Sequence, residues 1–389
     1  MIRIGVIGYG LRIQGVISLM QELKAGTEIV AITDVRNDDI RREMQEKGQD
    51  FSKITFYDNP DEMLDKENLD AAMVGTRCSL HTRMAVKVLE RNLPLYLEKP
   101  IATNMDDLLA LRTAAEKSDS EVVVSFPLRV TPLVQLAKEI IDSGRIGTVE
   151  HVEAYNNVPY GGVYFQYWYR DENETQGLFL QKATHDFDYI NYLLGIEPRW
   201  ICAMTSKQIY KGDRPAGLRC EDCGDKASCP DSPYNPYLGG HGLGSEAYKM
   251  NLLCGFAVDS GNEDSGSALI RYETGMHVAY TQNFFARKAA GKRGARLLGY
   301  KGTVEFDWFT DELKVYMHHT PRVETYKTDS SMLSHGGGDT VLVDSFVQVI
   351  RDKAKSVSPL SAGLLSVLMC LKAKESNATN TFQEIKWPE

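Results

Sequence analysis

Apolar residues occupy Ile2, Ile4, Val6 and Ile7 and give way to Gly8 and Gly10, after which Ile13, Val16, Ile17 and Met20 recur at helical spacing. This reads as strand, glycine turn, helix. The rhythm continues with EIVAITD as a strand ending at Asp34 and RNDDIRREMQEK as a helix. ITFYD, LDAAMVGT, LPLYLEKP and EVVVSF are further strands, and LHTRMAVKVLERN and MDDLLALRTAAEKS are the later helices. Apolar strands alternating with helices predict a parallel sheet covered on both faces. From about residue 148 the pattern changes to short alternating runs divided by glycine turns, among them TVEHVEAYNNV, SALIRYETG, MHVAYTQNFFA, ARLLGYKGTVEFDW and ELKVYMHH. Neighbouring strands joined by short turns predict an antiparallel sheet. The expected fold is therefore α/β plus α+β. A doubly wound parallel sheet fills residues 1–126, and an open, mostly antiparallel sheet fills 127–389, with a cysteine-rich insertion over about 212–245 and C-terminal helices over about 339–376.

The glycine turn carries candidate chemistry. A strand, a G-x-G turn and a helix let the backbone approach a pyrophosphate and aim a helix N-terminus at it, as in Rossmann-type dinucleotide sites. Ile13 stands where a third glycine is usual, and Gly15 follows two residues later. Asp34 lies 24 residues beyond Gly10, where an acid can accept the ribose hydroxyls of NAD, or can cap the next helix. Arg36 beside it would tolerate the 2′-phosphate of NADP; NAD is the preferred reading. Ligands of such sheets gather outside the carboxyl ends of the strands. Thr76, Glu98 and Lys99 fall on that edge with Gly8 and Gly10, and Leu11, Arg12 and His81 open the adjoining helices. These ten residues form the expected cofactor-binding set.

Composition narrows the partners. A net charge of −9 and scattered Lys and Arg argue against nucleic acid, and no apolar run approaches the length of a membrane span. No small-residue cleavage site follows the N-terminus, so the expected location is cytoplasmic and the expected partner a small molecule. Seven cysteines in 389 residues do not make a disulfide scaffold.

GVIGYGLR, TDVR, LHTRMAVKVLERNLPLYLEKPIA, GRIGTVEHVEA and KATHDFDYINYLLG together resemble the Gfo/Idh/MocA oxidoreductases, the glucose-fructose oxidoreductase and inositol dehydrogenase family. The resemblance covers nearly the whole chain, and the E-K-P tripeptide is its most specific piece. It implies substrate in a cleft between the two domains, sugars or polyols as usual substrates, and a homo-oligomer, dimer or tetramer. Lys99 matches the lysine that contacts the reacting hydroxyl, and His185 the histidine often assigned as acid or base. Many family dehydrogenases carry an Asp four residues before that histidine; here Gln181 stands there, with Lys182 next to it.

LFLQKATHDFDYINYLL reads as an amphipathic helix with Leu178, Lys182, His185 and Tyr189 on one face, so Lys182 and His185 are expected to project into one site. A lysine beside the imidazole would keep it a neutral base near neutrality. GGVYFQYWYRDE places Tyr164, Trp168 and Arg170 where a sugar site or a closed sheet edge would use them, and Arg129, Asp186 and His335 complete the candidate substrate set. Cys220, Cys223 and Cys229 form C-x2-C-x5-C in a turn-rich insertion that has little core of its own, for which a structural zinc is one reading, with Cys254 or His241 as fourth ligand. Three unmetallated thiols are the other. In SHGGGDTVLVDSFVQVI, Asp339 is expected to cap a helix, and three glycines suggest that the loop approaches a ligand or another chain closely.

The expected activity is reversible, NAD-dependent oxidation of a secondary hydroxyl of a carbohydrate or cyclic polyol, with Lys99 polarising the oxygen and His185 moving its proton. The alternatives are glycosidic elimination with bound NAD through transient oxidation, and a non-catalytic sugar or nucleotide sensor.

Overall fold

A computed structural model describes residues 1–235, 252–329 and 334–388. Two compact units result, the first made of Met1–Gln135, Phe187–Tyr189 and Met332–Leu368, the second of Leu136–Asp186, Ile190–Ser331 and Met369–Glu389.

The first unit is built on six parallel strands, β1 (Ile2–Ile7), β2 (Thr27–Thr33), β3 (Thr55–Tyr57), β4 (Ala71–Val74), β5 (Leu95–Leu97) and β6 (Val122–Val124), in the order β3-β2-β1-β4-β5-β6. The order reverses between β1 and β4, which is where an open doubly wound sheet leaves a crevice at its carboxyl edge. Its core joins Ile4, Val6, Ile32, Met73 and Val123 of the sheet to Ile13, Val16, Ile17 and Met20 of α1 (Leu11–Glu22). Leu342, Val343, Phe346 and Val347 of a C-terminal helix, Gly338–Asp352, join the same core. A stretch more than 200 residues away in sequence thus completes the first unit.

In the second unit nine strands form one sheet: β7 (Val149–Asn157), β8 (Pro198–Ser206), β9 (Ser265–Tyr272), β10 (His277–Asn283), β11 (Lys292–Gly299), β12 (Gly302–Asp307), β13 (Glu312–Met317), β14 (Val323–Lys327) and β15 (Gln383–Glu384). Their order is β14-β13-β12-β11-β7-β10-β9-β8-β15, antiparallel throughout except for the parallel pair β7 and β10. The alternation read in the sequence is visible in β9, whose residues from Ser265 to Tyr272 alternate between buried and more exposed.

The expected amphipathic helix takes a different form. Phe179–Ala183 is a π-helical turn that runs into the α-helix Thr184–Leu194, and every residue from Leu178 to Ile190 is buried. No solvent-facing stripe exists from Leu178 to Ile190, and Leu178 itself joins the aromatic cluster around Phe165, Tyr210 and Phe284.

Candidate active site

In the first unit the glycine turn is fixed by mutual fit. Gly8 has φ +85°, and a Cβ there would lie 2.6 Å from the Thr76 backbone nitrogen. A Cβ on Gly75 would lie 2.1 Å from Ile13 Cγ1. The close helix–strand approach usually allowed by a third fingerprint glycine is thus allowed by Gly75, on the strand facing Ile13. Gly15 has nothing within 4 Å and takes no part. Gly10 caps α1 without a side-chain hydrogen bond, and a Cβ there would meet only the Gly75 carbonyl, at 3.7 Å. The first-turn N–H groups of Leu11 and Arg12 therefore open onto a backbone cradle, which fits a pyrophosphate.

Asp34 stands at the end of β2. One carboxylate oxygen accepts the Tyr9 N–H at 2.8 Å and the other the Arg36 N–H at 2.8 Å, so the acid ties the glycine turn to the second strand and does not cap the helix. A carboxylate offers about four lone-pair positions, and those remaining fit ribose hydroxyls. Arg36 is exposed, with Nε 3.9 Å from Asp34.

The Arg12 side chain points elsewhere. Nε donates to Glu98 at 3.0 Å, Nη1 to Asp339 at 3.0 Å, and Nη2 to both Asp339 and Ser125. Four of its five N–H donors are thereby engaged within the protein, so Arg12 is a clamp rather than a phosphate ligand. His335 Nδ1 lies 2.8 Å from Asp339. Burial acts to raise the Asp339 pKa, but His335 and Arg12 together hold the carboxyl well below its ordinary range. Asp339 is thus the keystone of this cluster and not the helix cap, a position taken by Gly337. The close approach foreseen for the glycine run is made to the chain itself, because a Cβ on Gly338 would fall 2.0 Å from the Pro127 carbonyl oxygen.

Glu98 is buried, and its second oxygen accepts the Lys99 N–H at 3.3 Å, so the clamp reaches the backbone of the E-K-P segment. Lys99 is half-buried at the carboxyl end of β5 and is followed by a cis peptide bond to Pro100. His81 is inside the protein, with Nδ1 2.8 Å from the Pro100 carbonyl and Nε2 3.0 Å from the Thr76 carbonyl, and burial lowers its pKa. A neutral ring has one N–H, so it donates to one of these two carbonyls at a time. Arg129 is likewise internal, 3.2 Å from the buried Asp188. Sequence reasoning did not foresee these pairings, since partners up to 327 residues apart leave no local signal.

In the second unit Lys182 and His185 are both buried. Lys182 Nζ donates to the Tyr160 hydroxyl at 2.8 Å and lies over the rings of Tyr160 and Tyr164, at 4.8 and 5.2 Å. Gln181 donates to the Thr175 carbonyl. Asp186 is fully buried and accepts from Asn156, Tyr280 and Arg293, at 2.9, 2.8 and 2.8 Å. Tyr164 belongs to the aromatic core, Trp168 stacks on Tyr169 at 3.9 Å, and the buried Arg170 donates to the Cys254 carbonyl and to Asp259.

The zinc reading is not supported. Among the described residues no group of three or more His, Cys, Asp or Glu is placed to hold a metal ion, and His241 lies outside them. The insertion is stabilised in another way. Cys220 and Cys254 are pinned through backbone hydrogen bonds to Leu252 and Leu218, Gln166 donates to the Cys220 sulfur, and burial pushes the Cys220 thiol up to about 12.

Residues 2–126 match the model described as oxidoreductase family, NAD-binding Rossmann fold, and residues 134–305 match the GFO/IDH/MocA C-terminal domain. The chain belongs to the Gfo/Idh/MocA oxidoreductase family. YteT of Bacillus subtilis (strain 168) is 28% identical over 76% of this chain and 75% of its own length. The myo-inositol 2-dehydrogenase of Thermotoga maritima is 28% identical over 50% of this chain and 55% of its own length, and the scyllo-inositol 2-dehydrogenase (NAD(+)) of Bacillus subtilis 23% identical over 44% and 48%. The chain thus spans about half the length of these inositol dehydrogenases. An oxidoreductase domain protein from Kribbella flavida has TM-score 0.77 at 18% identity, covering 100% of this chain and 99% of that one. A levoglucosan dehydrogenase in complex with NADH and levoglucosan has TM-score 0.77 at 17% identity, covering 99% of each chain. At these identities the likeness is one of fold. Among the described residues no helix is long and apolar enough to cross a membrane.

Proposed function

We propose that this protein is an NAD-dependent dehydrogenase that oxidises a secondary hydroxyl of a carbohydrate or cyclic polyol. The observation that carries the reading is the carboxyl edge of the first sheet. There the open cradle at Gly8 and Gly10, Asp34 at the end of β2 and Lys99 at the end of β5 occupy the edge where doubly wound sheets bind dinucleotides. The names of the inositol and levoglucosan dehydrogenase relatives support the substrate class.

In this reading the N–H groups of Leu11 and Arg12 hold the pyrophosphate and Asp34 the ribose. Bound NAD supplies the hydride acceptor. The Lys99 ammonium hydrogen-bonds the substrate oxygen and stabilises the negative charge that develops on it, while Glu98, locked by Arg12, fixes the backbone from which Lys99 extends. His185, matched by the family resemblance to an acid or base, is the group read as moving the hydroxyl proton. Asp34 favours NAD over NADP, and the protein works in the cytoplasm as a homo-oligomer.

The test is NADH formation, followed by absorbance, over a panel of polyols, aldoses and anhydrosugars that includes myo-inositol, scyllo-inositol and levoglucosan. Stoichiometric NADH release supports net oxidation. Cleavage of a glycoside without NADH release supports elimination with retained NAD, and no turnover with tight sugar binding supports a sensor.

A further inference from the structure

We infer that the second unit holds a binding site for a carboxylate, so that the substrate is an acidic sugar, an aldonate or uronate, rather than a neutral polyol. Its identification as substrate rests on the dehydrogenase reading, while the anion site is built from residues of the second unit alone. The buried face of the nine-stranded sheet is apolar at Val152 and Ala154 of β7, Val278 of β10, and Ala295 and Leu297 of β11. At one end of the same face three polar residues stand side by side. Gln282 of β10 is in register with Asn156 of β7, and Asn156 with Arg293 of β11. All three are buried, a costly place for polar groups unless something satisfies them.

The hydrogen bonds of this cluster leave donors over. Asp186 already accepts from Asn156, Tyr280 and Arg293 Nε. Gln282 Nε2 and Arg293 Nη2 are buried and have no hydrogen-bond partner among the described residues. Lys182 Nζ carries three N–H groups and among the described residues gives one, to the Tyr160 hydroxyl at 2.8 Å. A ligand that fills this set must bring acceptors. The charges point the same way, since the buried Lys182 and Arg293 share one carboxylate, Asp186, among the described residues, which leaves one positive charge over. A ligand carboxylate supplies one negative charge and two acceptor oxygens in one plane. A phosphate monoester, at about −1.5 to −2 near neutrality, would overshoot the balance.

Two further features fit an anion site. Burial acts to raise the Tyr160 pKa, yet the Lys182 ammonium and the Arg293 guanidinium outweigh it and bring the phenol below its ordinary value, which reports a positive local potential. Lys182 Nζ lies over the rings of Tyr160 and Tyr164, and Tyr160 is 42% exposed, so the cluster meets the outside at that ring. Lys182 itself extends from the π-helical turn Phe179–Ala183, a rare geometry frequent at functional sites.

Titration calorimetry of the full chain, with and without NADH, tests the site. The probes are gluconate, glucuronate and galacturonate, each set against an uncharged counterpart (glucitol, glucuronamide and galactose), with glucose 6-phosphate as the phosphate arm. At least one carboxylate is expected to bind about 10-fold or more tightly than its uncharged counterpart and than the phosphate. Lys182→Met is expected to bring that ratio close to one, and Lys182→Arg, which keeps the charge, to retain most of it. Gln282→Leu, which removes a neutral donor, is expected to lower the ratio by a smaller factor and carries the test if Lys182→Met fails to fold. Failure of every carboxylate to bind, tighter binding of the neutral sugars or the phosphate, or a preference untouched by Lys182→Met and Gln282→Leu overturns the proposal. Carboxylate binding without NADH formation from any probe leaves the anion site standing and overturns the dehydrogenase reading.

Discussion

The buried cations of the two units are matched differently. In the first, Arg129 faces Asp188, and Arg12 is clamped between Glu98 and Asp339. In the second, Lys182 faces a phenol, and Arg293 has Asp186 on Nε. Carboxylates that meet their cations make a frame that holds loops still. At Lys182 the cation meets a phenol oxygen instead of a carboxylate. Lys182 is thus the cation whose match differs in kind, and the comparison can be broken by removing each cation in turn.

The largest expected effect is at Arg129, whose side chain and that of Asp188 are 8% and 1% exposed. Arg129→Met leaves a lone buried carboxylate and is expected to cost about 3–5 kcal/mol of unfolding free energy at pH 7–8, read by denaturant titration. Burial pushes the Asp188 pKa from 3.8 to about 6, against the pull of Arg129. A raised carboxyl pKa contributes stability that is present below the unfolded value and lost as pH rises through the folded one. Removing Arg129 also removes its downward pull, so in Arg129→Met Asp188 takes up a proton already above about pH 6, and the penalty is expected to shrink as pH falls through that range. A penalty independent of pH would show that the pair is not what the residue contributes.

Arg12→Met should follow, at about 3 kcal/mol, the low end for a broken pair because a third of the Arg12 side chain remains exposed. Loss of cofactor affinity without loss of stability would make Arg12 a ligand instead of a clamp. Lys99→Met belongs to the other class, with turnover expected to fall by about 100-fold or more while melting temperature and NAD affinity hold. Near wild-type turnover would remove Lys99 from the mechanism. Gly75→Ala, which drives a methyl into Ile13, is expected to cost about 1–3 kcal/mol, and Ile13→Ala in the same chain to recover most of it. The smallest effect is expected from Lys182→Met, below about 1 kcal/mol in stability, because removing a buried ammonium also removes its desolvation cost. A large loss there would place Lys182 with the frame.

The first sheet was legible in the chain because its strands are continuous apolar runs and its glycines mark turns. Each of those signals acts over a few residues, and Gly8, Asp34 and Lys99 could be placed on one edge by counting alone. The change of pattern near residue 148 likewise announced the second sheet. Two readings find no support in the fold. Leu178–Leu194 has helical spacing, yet a π turn and burial on every side replace the expected amphipathic face. Cysteine spacing resembled a metal site, but the described residues gather no ligand set. In H-G-G-G-D, Gly338 packs against the Pro127 carbonyl.

What the sequence determined by itself was periodicity, punctuation and the family, all of which are local or are carried in short motifs. Only the tertiary structure decided which charges meet. Arg12 finds Asp339 across 327 residues, Gly75 supplies the space that Ile13 requires, and Lys182 turns to Tyr160. The reason is physical. A side chain's burial and partners are set by whatever elements pack over it, and the cost of an unmatched buried charge is settled only when the whole core has closed.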